Sequence, residues 1–590
     1  LFASQSVDWA NGSHSVSGVN TMLRQSTLVL FLISAISGGA EAQSPAVKTG
    51  AARAVSAASQ IQGPPRIGVG ILQVKLGLDE AIEMALKNNL EIEIERQNRA
   101  DTYQGIKAAL GAYDLNFRFQ SSLENRATPT GSILQAADGR LVDRIFGQNF
   151  YLRQPLPWHG LSLQADFENG RSSTNNPFVS LNPYVTSRLN VGFTLPLLRN
   201  REIDSRRAGI KISRKQAELS DVAFKLRVID VVTRVQQAYW DLVAARQDAQ
   251  VNGEAVELAR EQLARTRRMI ESGTLAPVEL AASEAELERR LDTYIASVGM
   301  VTEAENALKT LLAPGKDSPL WSDEIVPLDD SRDAEPPIVE DLREAIAQAV
   351  AKRPELQSVG LQKEVNNIQR ELDSNQTKPE INLVGAYINS GLGGTVASMS
   401  NPFSAQNEAL YQRLNQLSVA AGLPPLPAPT FGGLPDKLVG GYGTALSNLF
   451  GGNFQTYQAG LVFDFNIRNR TAEANLAKTA IADRRLELER ARTEQAIAAQ
   501  VRNALQALET ARQRIAAARA SERAAREKLE SETRLFQNGE STNFLVLTRQ
   551  NEYSESRRRV VLARLDHNRA VARLEQALGT TLERHQISID

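Results

Sequence analysis

The chain has 590 residues, with 67 Lys and Arg against 68 Asp and Glu, so it lacks the clustered basic excess of a nucleic-acid-binding protein. It has no cysteine, and its four histidines, His14, His159, His567 and His585, are far apart. That composition excludes disulfides, thiolate catalysis and a lipidated N-terminal cysteine, and leaves no imidazole cluster for a metal. No phosphate-binding glycine loop, nucleophile elbow or HExxH pattern occurs, and the Asp/Glu pairs sit at helical salt-bridge spacing, so neither an enzyme nor a cofactor is expected.

From Met22, "MLRQSTLVLFLISAISGGAEAQ" carries one Arg, an apolar run from Leu28 to Ile36 and the small-x-small pattern Ala40-Glu41-Ala42. Residues 1–42 therefore read as an upstream leader plus a secretory signal, and 43–75 as a flexible segment. No later segment has 18 uncharged apolar residues, so a mature chain that crosses a membrane must do so as β-structure.

A first unit spans 76–313. It opens with a helix from Leu78, "LDEAIEMALKNNLEIEI", ending near Gly111. In "YDLNFRFQSSL", Leu115, Phe117 and Phe119 alternate with Asn116, Arg118 and Gln120, a strand with two unlike faces. "RLNVGFTLPL" from Arg188 repeats the alternation. Whether residues 145–170 add a further hairpin stays open at this level. From Asn200 to Glu271 apolar residues recur at Val222, Leu226, Ile229, Val232, Val235, Tyr239 and Leu242, the spacing of a packed helical seam about 105 Å long. Gly273 turns the chain back from about Pro277 to Leu312.

A linker at 314–340 leads to a second unit, 341–582, followed by a tail, 583–590. "LREAIAQAVAKRPELQS" from Leu342 matches the opening at an offset of 264, and Gly539 follows Gly273 by 266. Phe463 and Phe465 in "VFDFNIRNR" match Phe193 and Leu195 at an offset of 270, so one plan occurs twice. "EINLVGAYIN" from Glu380 and "AGLVFDFNI" from Ala459 supply two strands, and a Gly/Pro/Asn-rich span from Ser390 to Gly452 separates them. Long helices follow from Arg470 to Gln537 and from Asn543 to Leu578.

Strands near ten residues suit a tilted membrane crossing, and Phe150, Tyr151, Trp158, Tyr184, Phe454 and Tyr457 gather at strand ends as an interfacial girdle does. Four strands leave open edges in lipid, so several copies must share one barrel; three copies give twelve.

Together the signal, the duplicated units, the strands feeding long rods and the Gly-tipped hairpins resemble the TolC-type outer-membrane efflux proteins. The resemblance covers Leu78 to Leu582, with "LDEAIEMALKNNLEI", "QQAYWDLVAA" and "LFQNGESTNFLVLTRQNEY" as matching stretches; no one of them is specific, but their order and duplication are. It implies a mixed α/β membrane protein: a homotrimeric 12-stranded β-barrel, four strands per protomer, continued by a long periplasmic α-helical barrel. It further implies a passive exit duct in outer-membrane lipid, partnered by a periplasmic membrane-fusion adaptor and an inner-membrane pump of the RND, ABC or similar class.

On that reading Ser272, Gly273, Thr274 and Leu275 in one hairpin and Asn538, Gly539, Glu540, Ser541 and Thr542 in the other form the adaptor-docking tips. Glu279 stands where a lumen-facing carboxylate ring can sit, and Leu545 is its counterpart. Phe536, Leu545 and Leu547 read either as an apolar gate or as helix-packing residues. Asp464 and Arg118 are candidate barrel-lumen residues. A periplasmic coiled-coil adaptor or an envelope tether without a pore is the rival reading; an adaptor normally carries a single hairpin inside a β-rich chain.

Overall fold

A computed structural model describes residues 66–588, apart from 69, 71, 133, 137, 330–332, 340, 398–401 and 428–433. The signal and residues 43–65 of the expected flexible segment lie outside the described residues.

In the first half the elements are β1 (Gln73–Leu76), α1 (Leu78–Asn88), α2 (Leu90–Leu110), β2 (Asn116–Pro129), β3 (Arg140–Pro155), β4 (Ser162–Thr174), β5 (Leu181–Pro196), α3 (Ser205–Glu271) and α4 (Val278–Leu312). The second half follows with β6 (Glu324–Pro327), α5 (Leu342–Lys352), α6 (Pro354–Gln376), β7 (Glu380–Val396), α7 (Pro402–Ala420), α8 (Tyr442–Phe450), β8 (Gln455–Asp464), α9 (Arg470–Gln537), α10 (Asn543–Leu578) and α11 (Thr581–Arg584).

Local chemistry sets the breaks. The opening helix divides at Asn89, whose side chain accepts from the N–H groups of Glu91 and Ile92 and so starts α2 afresh. Asp204 caps α3 by accepting from the Arg207 N–H, which is why the rod begins there and not at Asn200. At 67 residues α3 is about 100 Å long. Near its middle Val228, Val231, Val232, Val235, Tyr239 and Leu242 bury against α1, α4 and the small parallel ribbon of β1 and β6. This ribbon includes Gln73 to Lys75, the last residues of the segment expected to be flexible. The Tyr239 hydroxyl lies 3.1 Å from the Leu76 carbonyl and 2.9 Å from Asp329, and burial together with that carboxylate raises its pKa. Close by, Lys309 and Glu305 pair at 2.7 Å with 0% and 1% side-chain exposure, and Arg66 also reaches Glu305. A buried pair of this kind is costly to break by removing one partner.

Six strands, in the order β2-β3-β4-β5-β7-β8 and all antiparallel, form the large sheet. The four strands per protomer expected from sequence are thus corrected to six, and a twelve-stranded barrel no longer follows from three copies. The added hairpin is β3 and β4. Its alternation is obscured by Gly147 and Gly170, which read as breakers but face each other inside the ladder, where neither needs a side chain. Around them Phe146, Phe150 and Leu152 on β3 share a face with Leu163, Ala165 and Phe167 on β4. The Gly/Pro/Asn-rich span of the second half is also more ordered than expected: β7 runs on to Val396, and α7 and α8 follow.

Candidate functional site: hairpin tips and sheet faces

Both hairpins close by the same backbone chemistry. At the first, the Gly273 N–H donates to the Ile270 carbonyl at 2.9 Å and the Thr274 N–H to Met269 at 2.9 Å. The second repeats this, with Gly539 donating to Phe536 at 3.1 Å and Glu540 to Leu535 at 2.9 Å. Such nested bonds require a left-handed residue, supplied by Gly273 at φ +75° and Gly539 at φ +81°. Thr542 then caps α10. Ser272, Gly273, Thr274, Asn538, Gly539, Glu540 and Thr542 are exposed, while Leu275 and Ser541 are half-buried and Ser541 hydrogen-bonds Glu532.

The rods bring the tips together. Along the antiparallel α3–α10 seam Asp241 pairs with Arg569, Asp248 with Arg558 and Glu254 with Arg557. Although burial opposes its ionisation, hydrogen bonds from Arg557 and Gln250 hold the Glu254 carboxyl below its ordinary pKa. At the tip end of this seam lies a buried polar knot. The Asn543 side chain accepts from Gln262 at 2.8 Å and reaches Ser283 and Glu279, each at 3.1 Å; Ser283 in turn meets Thr266 at 3.3 Å. Gln262, Thr266, Ser283 and Asn543 are all buried, and together they tie α3, α4 and α10. In a dry seam such bonds fix register, because any slip leaves polar groups unpaired.

Sequence reasoning missed that knot. Its signal was present: Gln262 and Thr266 continue the spacing of Val251, Ala255 and Ala259, so polar residues occupy seam positions. Of the gate candidates, Glu279 joins the knot. Phe536 and Leu547, 3% and 9% exposed, pack inside the protomer, and Leu545 is 37% exposed.

The sheet has two chemically distinct faces. One carries Phe119, Phe150 and Phe167 in register, with ring centroids 5.0 and 6.2 Å apart, then Leu189, and below them Val191, Phe193, Tyr387 and Tyr457. The other carries Gln120, Asp166, Glu168, Arg188 and Asn190, and includes both lumen candidates, Arg118 beside Tyr151 on β2 and Asp464 opposite Glu380 on β8. On β5 the apolar face extends from Leu195 to Val185, about 25 Å for tilted strands, the height of a membrane band. Asn169, Ser187 and Asn389 interrupt it; α8 packs over β7 and β5 there, where its Leu449 carbonyl accepts from Asn389, while the Asn169 amide donates to the Gln148 carbonyl of β3. Gly391 permits that approach, because a Cβ there would meet the Ala445 carbonyl oxygen at 1.9 Å.

A two-faced sheet whose strands continue into Gly-tipped rods is a channel architecture, and the family comparison agrees. The model of the family described as "Outer membrane efflux protein" matches residues 158–313 and 430–580, just over half of the chain. The chain belongs to the outer membrane efflux protein family. Solved structures share the channel's fold: the outer membrane channel CmeC of Campylobacter jejuni (TM-score 0.58, 14% identity, covering 85% of this chain and 86% of that one) and the open-state channel MtrE of Neisseria gonorrhoeae (0.55, 16%, 86% and 89%). VceC of Vibrio cholerae is similar at 0.54, with 12% identity and coverage of 85% and 96%. No curated protein matches the chain. The channel resides in the outer membrane and extends into the periplasm. Among the described residues no helix is apolar enough to cross a membrane, and no cluster of His, Asp or Glu is arranged to hold a metal.

Proposed function

We propose that three copies of this efflux channel form the passive exit duct of a tripartite efflux or type I secretion assembly. The sheets close a barrel in outer-membrane lipid, the rods line a periplasmic tunnel, and the hairpin tips dock to a membrane-fusion adaptor served by an inner-membrane pump. The observation that carries this reading is the matched pair of hairpins, both ending in exposed Gly-centred turns and tied to one another by the Asn543 knot.

Two similar tips per protomer give six around a trimeric mouth, so one adaptor surface meets Ser272–Leu275 and Asn538–Thr542 alike. Opening such a mouth requires neighbouring rods to part, and the bonds from Asn543 to Gln262, Ser283 and Glu279 oppose any parting of α10 from α3 and α4. Glu279 and Leu545 are the gate candidates with exposed surface; Phe536 and Leu547 support them from inside the hairpin.

Single-channel conductance in a planar bilayer tests this, comparing the purified protein with Asn543→Ala and with a Phe536/Leu545/Leu547 variant carrying Gly and Ser. A small conductance that rises several-fold in Asn543→Ala is expected. Membrane-extracted trimers that conduct nothing in any form would remove the duct.

A further inference from the structure

Among the described residues, the first half of the chain carries a β-hairpin that its second half lacks, and that hairpin lies within the sheet, between β2 and β5. Strand β3 pairs with β2 from Asn116–Arg153 to Pro129–Arg140, and β4 pairs with β5 from Ser162–Thr194 to Ser172–Tyr184. Hydrogen bonding is therefore continuous from β2 to β8. The two faces are continuous too, since Phe150 and Phe167 extend the apolar face while Tyr151, Asp166 and Glu168 extend the polar one. An appended subdomain would not maintain both.

The polarity of the edges is also preserved. A hairpin adds one outgoing and one returning strand, so β2 still leaves the helical end of the sheet and β8 still returns to it. Both edge strands have an open ladder side, and β8 of one copy meets β2 of the next antiparallel, as closure in lipid demands. Leu115, Phe117, Phe119 and Leu123 at one edge and Leu461, Phe463 and Phe465 at the other remain exposed in the single chain.

We propose that the outer-membrane portal is an eighteen-stranded barrel, three six-stranded sheets joined β8 to β2, and so wider than the twelve-stranded barrel that two strands per half would build. This rests on the three-copy duct above. Eighteen is an even number within the range of membrane barrels. With strands about 4.8 Å apart and tilted about 40°, the backbone diameter is about 36 Å, against about 24 Å for twelve, so the cross-section roughly doubles. The rods entering the barrel are unchanged in number, so the portal is not the constriction, and limits on cargo size fall to the tips. Residues Tyr151, Arg153, Asp166 and Glu168 become additional lumen wall.

Because the chain has no cysteine, Gln120→Cys gives one labelling site, exposed on the polar face of β2. Spin labels there, measured in detergent-purified protein whose mass is determined in parallel, report one distance between symmetry-related copies. About 30 Å is expected for eighteen strands and about 20 Å for twelve. Deleting residues 140–174 in the same background leaves β2 and β5 antiparallel and able to pair, and the distance is expected to fall by about a third, following strand number. A trimer with the shorter distance in the full chain overturns the wide portal and leaves the duct standing, and so does a deletion variant that keeps the long distance. A mass other than three protomers overturns the duct itself and this proposal with it. Should the deletion variant not fold, the full-chain distance decides alone.

Discussion

The two halves agree in their rods and differ in their sheets. The outgoing helices have 67 and 68 residues and the returning ones 35 and 36, whereas among the described residues the first half contributes four strands to the sheet and the second two. Rod length is held because the hairpins must end level if their tips are tied: α10 reaches Gln262 and Glu279 only in the present register. Strand number is free to change in pairs, since a hairpin returns the chain to the side from which it left. The second half spends its extra residues differently, on α7 and α8 between β7 and β8.

The sharpest way to break the equality of the rods is to shorten one. Removing seven residues, 512–518, from α9 preserves helical phase approximately but draws the second tip back by about 10 Å. Loss of the assembled, detergent-resistant oligomer is expected, whereas a matched seven-residue removal from each of α3, α4, α9 and α10, which keeps the two tips level, should restore much of it. An assembly indifferent to the single shortening would show that tip level is unimportant.

A smaller effect is expected where the sheets differ. Gly391→Leu forces α8 off β7, since even the first side-chain carbon meets backbone; a loss of about 1–3 kcal/mol is expected, read from thermal unfolding in detergent. Exposing Ser187 and Asn389 to lipid should also increase protease sensitivity around Tyr442–Phe450. Gly147→Leu has no backbone in its way and should cost less, the nearest atom being the flexible Ser122 hydroxyl.

The tail gives a pH-dependent contrast. Burial disfavours a charged His585, but hydrogen bonds to Glu575 and Asp79 outweigh it and raise its pKa above the ordinary 6.5. A histidine raised in the folded state contributes stability fully below its unfolded pKa and loses that contribution as pH rises through the folded one. Docking of the tail on α1 is thus expected to weaken from about neutral pH upward, with faster amide exchange at 583–588. His585→Gln should flatten that profile and leave the tips unchanged.

The smallest predicted effects concern the turns themselves. Gly273→Ala and Gly539→Ala should each cost about 1–2 kcal/mol, because both positions are left-handed and neither is crowded. Near-equal losses would confirm the chemical equivalence of the hairpins, and a large difference between them would break it.

Much of this architecture was legible in the chain itself. The second-half helices begin and end where residue spacing placed them, at Arg470–Gln537 and Asn543–Leu578, because apolar seams and Gly turns are local signals. Alternation identified β2, β5, β7 and β8 for the same reason. What alternation did not reveal was the β3–β4 hairpin, whose in-strand glycines and charges acquire meaning only from the partners across the ladder. Nor did it reveal the Asn543 knot: Asn543 lies about 260 to 281 residues from the groups it binds. The sequence alone determined periodicity, duplication and the turns, which depend on neighbours within one or two helical turns; only the tertiary structure decided how many strands share the sheet and which polar groups meet at the tips, because pairing and desolvation act between segments that are distant along the chain.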